Sequence, residues 1–150
     1  MKNPEVTRIL NADRWVLARG ELDVGPYLLR FREGLSSVAD TSGYTRLLTI
    51  VWPYDDEGSG TLPSPSDLAA LEQFEDGLCN AFEQDGHAIV TAVLTLDGAR
   101  QWVVYADDIS GCGHRIASMP QNEDPYPIEL HARDDPEWTY LRDQILSVVD

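Results

Sequence analysis

One apolar run, Tyr44 to Tyr54, limits the possible folds of this chain most: it holds Leu47, Leu48, Ile50, Val51 and Trp52 around a single charge, Arg46. It is too short and too rich in β-branched and aromatic residues for a helix, and Pro53 with Asp55 and Asp56 stops it. The pattern predicts the most buried strand of one mixed sheet, with the C-terminal elements layered on it.

A chain of 150 residues is enough for one domain that buries about two thirds of its unfolded surface. Its charge is the unusual property: 26 acidic residues against 11 basic ones give −15. Such a surface repels nucleic acid and anionic membrane and suits a basic protein partner. Two cysteines, Cys79 and Cys112, neither in a CxxC, do not make a disulfide scaffold. No stretch approaches the roughly 18 apolar residues of a membrane span, and the first residues carry no apolar leader core, so a cytoplasmic home is expected.

Residues 1–13 read as a loose polar N-terminus and 14–150 as a single α+β domain. Arg14 to Arg19 is a strand, Gly20 to Pro26 a hairpin turn, and Pro26 to Arg32 the returning strand. In the return, Leu28, Arg30 and Arg32 share one face, Tyr27, Leu29 and Phe31 the other. After a long surface loop from Asp55 to Pro65, Ser66 reads as the cap of a helix to about Gln84. Its buried stripe is Leu68, Leu71, Phe74 or Glu75, Leu78 and Phe82. Asp67, Glu72, Glu75, Asp76, Glu83 and Asp85 form its outer face with no Lys or Arg among them. Ala88 to Leu96 and Arg100 to Ala106 are strands joined by a tight turn at Asp97-Gly98-Ala99. A short helix follows from Ile109 to Met119, then an edge strand from Tyr126 to Arg133 with Pro127 near its start. A last helix starts at Asp135, with Pro136 at its first position and Trp138 docking it. From residue 44 on, this order is the β-α-β-β-α-β pattern of a ferredoxin-like sandwich, with an N-terminal β-hairpin and an extra C-terminal helix added.

The residues state no chemistry. Cys112-Gly113-His114 is the only close pair of soft ligands, and a zinc site ordinarily needs a second such pair, so no metal or other cofactor is expected. The same segment with Asp107 or Asp108 supplies the residue types of a nucleophilic site, but its glycines do not preorganise one. The acidic pairs Asp55-Asp56, Asp107-Asp108 and Asp134-Asp135 sit where Asp caps turns and helices. Arg30, Arg32, Arg46 and Arg100 are unexpected within strands of so acidic a chain. They read as partners of nearby carboxylates such as Glu33 or Glu129, or else as the frame of a small anion site walled by Trp102 or Tyr105.

Two stretches at the C-terminus resemble a known family. Pro127-Ile-Glu-Leu130 followed by Asp134, Asp135, Pro136, Glu137, Trp138 and Tyr140 is similar to the closing signature of the bacterial family catalogued as domain of unknown function 695. The turn Asp97 to Arg100 with its aromatic strand to Tyr105, and Trp52-Pro53-Tyr54 ahead of a Leu-rich helix, resemble it too. That family is in turn similar to the regulator of ribonuclease E activity B, an acidic ferredoxin-like inhibitor of an RNA-processing enzyme. The resemblance implies action by protein contact and supplies no catalytic residues.

The expectation is therefore a non-enzymatic, acidic regulator or inhibitor, monomeric or homodimeric. Its partner would be a basic protein, such as a nuclease or toxin, rather than nucleic acid or membrane. Glu72, Asp76 and Glu83, with Tyr140 as a surface aromatic, are the candidate partner-binding residues. The alternative is a small-molecule-binding or enzymatic domain using Arg30, Arg46, Arg100 and Trp102 on the sheet face.

Overall fold

The computed structural model describes residues 3–54, 62–119 and 126–149. Six strands form one antiparallel sheet: β1 Trp15–Leu22, β2 Gly25–Arg32, β3 Arg46–Pro53, β4 Ala88–Leu96, β5 Ala99–Ala106 and β6 Glu129–Asp134. Their order across the sheet is β1-β2-β4-β5-β3-β6. The hairpin of β1 and β2 thus extends the sheet, because β2 pairs with β4. The expected β3 strand forms, but it is not the most buried one. β4 and β5 lie at the centre and are buried along nearly their whole length, whereas β3 sits one strand from the β6 edge and is less completely buried, with exposed ends. The apolar run at β3 reflects burial on both faces rather than central position.

Both faces of the sheet are covered. One carries α2 (Pro65–Glu83) and α3 (Ile109–Ala117), with Leu71, Phe74, Leu78 and Phe82 of α2 packed on Leu48, Ile50, Val90, Trp102 and Val104. Phe74 stands edge-on to Trp102 and Trp52, at centroid distances of 4.9 and 5.4 Å. The other face carries α1 (Pro4–Ala12), a 3-10 turn at Leu35–Ser37 and the C-terminal helical segment over Leu29, Leu47, Ile89, Val103 and Tyr105. A bulge between Val90 and Ala92 flips the pleat of β4, so Val90 and Val93 both face α2.

Several local rules explain the elements. Ser64, not Ser66, caps α2: its Oγ accepts from the Asp67 amide, and Pro65 takes the first helical position, where a missing N–H costs nothing. Gly77, a weak helix former, lies under the Met119 side chain, whose terminal methyl would have to move for a Cβ there, 2.9 Å away. Asp108 caps α3 through the Ser110 and Gly111 amides, and Gly111 gives room to the His87 ring. The N-terminal residues expected to be loose contain α1, whose cap Asn3 also donates to the Asp40 and Ser42 carbonyls. No helix among the described residues is long and apolar enough to cross a membrane.

The C-terminal helix begins later than its sequence cap. Trp138 adopts a left-handed φ of 60°, its ring is fully buried and stacked on Tyr105 at 4.8 Å, and its indole N–H donates to the Tyr44 carbonyl. Helical structure starts at Thr139 and continues through a π-helical stretch, Leu141–Ile145. Asp135 still caps it, accepting from the Thr139 and Tyr140 amides and from the Tyr105 hydroxyl at 3.0, 2.9 and 2.7 Å.

Candidate functional site

The acidic stripe of α2 divides according to what lies beneath it. Every second residue of β2 faces the helix, and two of them are Arg30 and Arg32. Arg30 reaches Glu75 with Nη2 at 2.6 and 2.7 Å from the two carboxylate oxygens, and the indole N–H of Trp102 donates to the same Oε1 at 2.9 Å. Arg32 is more enclosed, at 2% exposed: Nη2 donates to Glu83 Oε1 at 2.6 Å, Nε to the Val90 carbonyl, Nη1 to Asp13. The other Glu83 oxygen accepts from the Val90 amide at 2.8 Å. Burial pushes the Glu83 carboxyl up, opposed by the Arg32 charge and the Val90 amide. The indole of Trp15 lies over both guanidinium groups, at 4.5 Å from Arg32 and 5.4 Å from Arg30.

Glu83 was expected to face a partner; it is instead a clasp between α2, β2 and β4. Glu75 belongs to the same inner set. Glu72 and Asp76 remain exposed on the outer side. They border a cleft of about 450 Å³ between α2 and the β1 end of the sheet. Leu17, Leu28 and Leu68 supply its apolar lining, Arg30, Arg100 and Thr95 its polar side. Arg100 is 4% exposed and donates from Nε to Thr95 Oγ1 at 2.9 Å. Among the described residues no carboxylate comes within ion-pair distance of it. Desolvation pulls the Arg100 pKa down, with the Glu75 and Glu72 charges acting against it.

The remaining candidates scatter. Arg46 is at the opposite end of the sheet from Arg100, in an exposed pair with Asp134 at 3.2 Å, so the four-residue set Arg30, Arg46, Arg100 and Trp102 is not one site. Its other three members meet around or beside Glu75, under α2 rather than on an open sheet face. Arg30, Arg32 and Arg46 do pair with carboxylates, although with Glu75, Glu83, Asp13 and Asp134 instead of Glu33 or Glu129, whereas Arg100 does not. Tyr140 is on the other face of the sheet, half-buried, its hydroxyl accepting from Gln101 Nε2 at 2.6 Å and its ring under Arg133. It does not join Glu72 and Asp76.

Cys112 faces the core while His114 is exposed, so the pair does not converge on one point. His87 makes its ring contact with the Asp108 carbonyl at 3.2 Å. Among the described residues, no three His, Cys, Asp or Glu side chains group as a metal site. The clasp of Arg30, Arg32, Glu75 and Glu83 was missed from sequence, although its signal was present: arginines at every second position of a strand, and glutamates two turns apart on the helix that covers it.

Comparison with curated proteins and with solved structures finds no match. A family model does match, over residues 13–146, which takes in the whole sheet, α2, α3 and most of the C-terminal helix. The chain therefore belongs to the family of unknown function DUF695.

Proposed function

We propose that this domain acts by binding a basic protein, as an acidic regulator or inhibitor that masks a basic site, and has no chemistry of its own. The observation that carries the reading is the division of the α2 carboxylates. Arg30 and Arg32 neutralise Glu75 and Glu83 internally, whereas Glu72 and Asp76, exposed on the helix, lie beside a cleft with one apolar side. A partner Lys or Arg can lay its aliphatic stem along Leu17, Leu28 and Leu68 and present its charge to those two carboxylates. The strand order β4-β5-β3-β6, with α2 and α3 on one face, supports the ferredoxin-like reading. Surplus negative charge favours fast, steered and salt-sensitive association. The test is affinity capture from a lysate of the source organism, eluted first at low and then at high salt. A basic protein released by salt supports the reading; a column that retains none at low salt counts against it.

Arg100 favours a second reading. A buried guanidinium lining a cleft, with a threonine hydroxyl as its side-chain partner, suits a small carboxylate ligand. Ligand-induced thermal shifts across a panel of small carboxylic acids, lost in Arg100→Met, would support it.

A further inference from the structure

The two edges of the sheet are built in different ways. β6 carries Glu129, His131, Arg133 and Asp134 in six residues and follows Pro127, the usual defences of an edge against pairing with another strand. β1 is less defended: it has no proline just before or within it, and its charged residues are Arg19 and Glu21 alone. Its eight residues run in unbroken register with β2, with no proline, lysine or bulge. Of the large apolar residues exposed in the described structure, Val16, Leu17, Leu22 and Val24 all lie on β1 or its turn, Leu17 and Val24 being 54% and 53% exposed. The ring of Tyr27 closes over Gly20, so the strand is not left thin there.

We propose that β1 is a homodimer interface, pairing antiparallel with β1 of a second copy about a two-fold axis at Gly20 and joining two sheets into one. The order of the residues selects this partner and this register. With the axis at Gly20, Arg19 stands opposite Glu21 of the second copy, and symmetry repeats the pair. Ala18 then opposes Leu22, apolar on apolar on the same face. Antiparallel strands related by a two-fold can shift only in a way that sets a residue opposite itself. Axes at Arg19 or Glu21 would therefore oppose like charges at the centre, an axis at Leu22 would set Glu21 against Asp23, and an axis at Ala18 makes no ion pair. A strand self-complementary in charge and in apolar content about one point is what an isologous interface requires.

The test is sedimentation equilibrium of the intact protein over a concentration series. The wild type forms a dimer; Glu21→Arg, which opposes two arginine pairs, raises the dissociation constant by about tenfold or more. The double exchange Arg19→Glu with Glu21→Arg restores the dimer. A wild type that stays monomeric at the highest soluble concentration overturns the proposal, as does a folded Glu21→Arg protein that dimerises unchanged. Hydrogen exchange on the unaltered chain gives a second reading that needs no variant. Amides of β1 exchange more slowly as concentration rises; protection independent of concentration contradicts the interface.

Discussion

Arg32 carries its charge into a place where only 2% of its surface meets water, and the contacts around it divide what each neighbour can do. Removing one member of such a pair leaves the other charge buried, so Glu83→Ala is expected to destabilise the fold by about 3 kcal/mol in urea denaturation. Glu72→Ala, with no such contact, is expected to stay within about 0.5 kcal/mol. The upward push on the Glu83 carboxyl indicates that burial outweighs the attraction of Arg32, as buried ion pairs commonly do. Arg32→Met with Glu83→Leu together should therefore cost less than Glu83→Ala alone, a non-additivity that a double-mutant cycle measures. The cysteines give a further expectation. Burial, with Glu83 and Glu75 nearby, pushes the Cys79 thiol up to about 12, and Cys112 faces the core. Thiolate is the reactive form, so neither thiol should react with a disulfide reagent at pH 8 until the protein unfolds. Rapid labelling of the native protein would contradict this.

Among the elements, the C-terminal helix depends most on a single side chain. Asp135 accepts from two helix amides and from Tyr105, and Tyr105 in turn stacks on Trp138. Asp135→Ala is expected to cost about 2 kcal/mol, with faster hydrogen exchange confined to residues 139–149. Undiminished protection there would remove the cap from the account. This element also shows where sequence reading stops. Asp135 and Pro136 signalled a helix start, and Trp138 its docking, because both depend on local chemistry. The three-residue delay came from Trp138 turning into the core, which depends on Tyr44 and Tyr105, distant in sequence. The same division holds elsewhere. Strands β2 to β5, the turn at Asp97-Gly98 and the stripe of α2 were legible as periodicity. α1 was not, since within residues 1–13 its buried anchor, Val6, is a single residue.

For the molecule as a whole, the sequence pattern conveyed the charge but not its distribution. The surplus of acid was evident, and so was the presence of arginines in strands. Which carboxylates those arginines consume depends on the β2-to-α2 packing, and so Glu83 read as part of an outer face and Arg46 as a neighbour of Arg30. The structure sorts four of the five α2 acids into an inner clasp, Glu75 and Glu83, and an outer pair, Glu72 and Asp76, and the proposed function rests on that sorting. The most direct test is to measure urea stability and salt-released partner capture side by side for Glu83→Gln and for the double variant Glu72→Lys with Asp76→Lys. The account predicts that the first loses stability, while the second keeps it and loses capture. A double variant that captures its partner as well as the wild type would contradict the account.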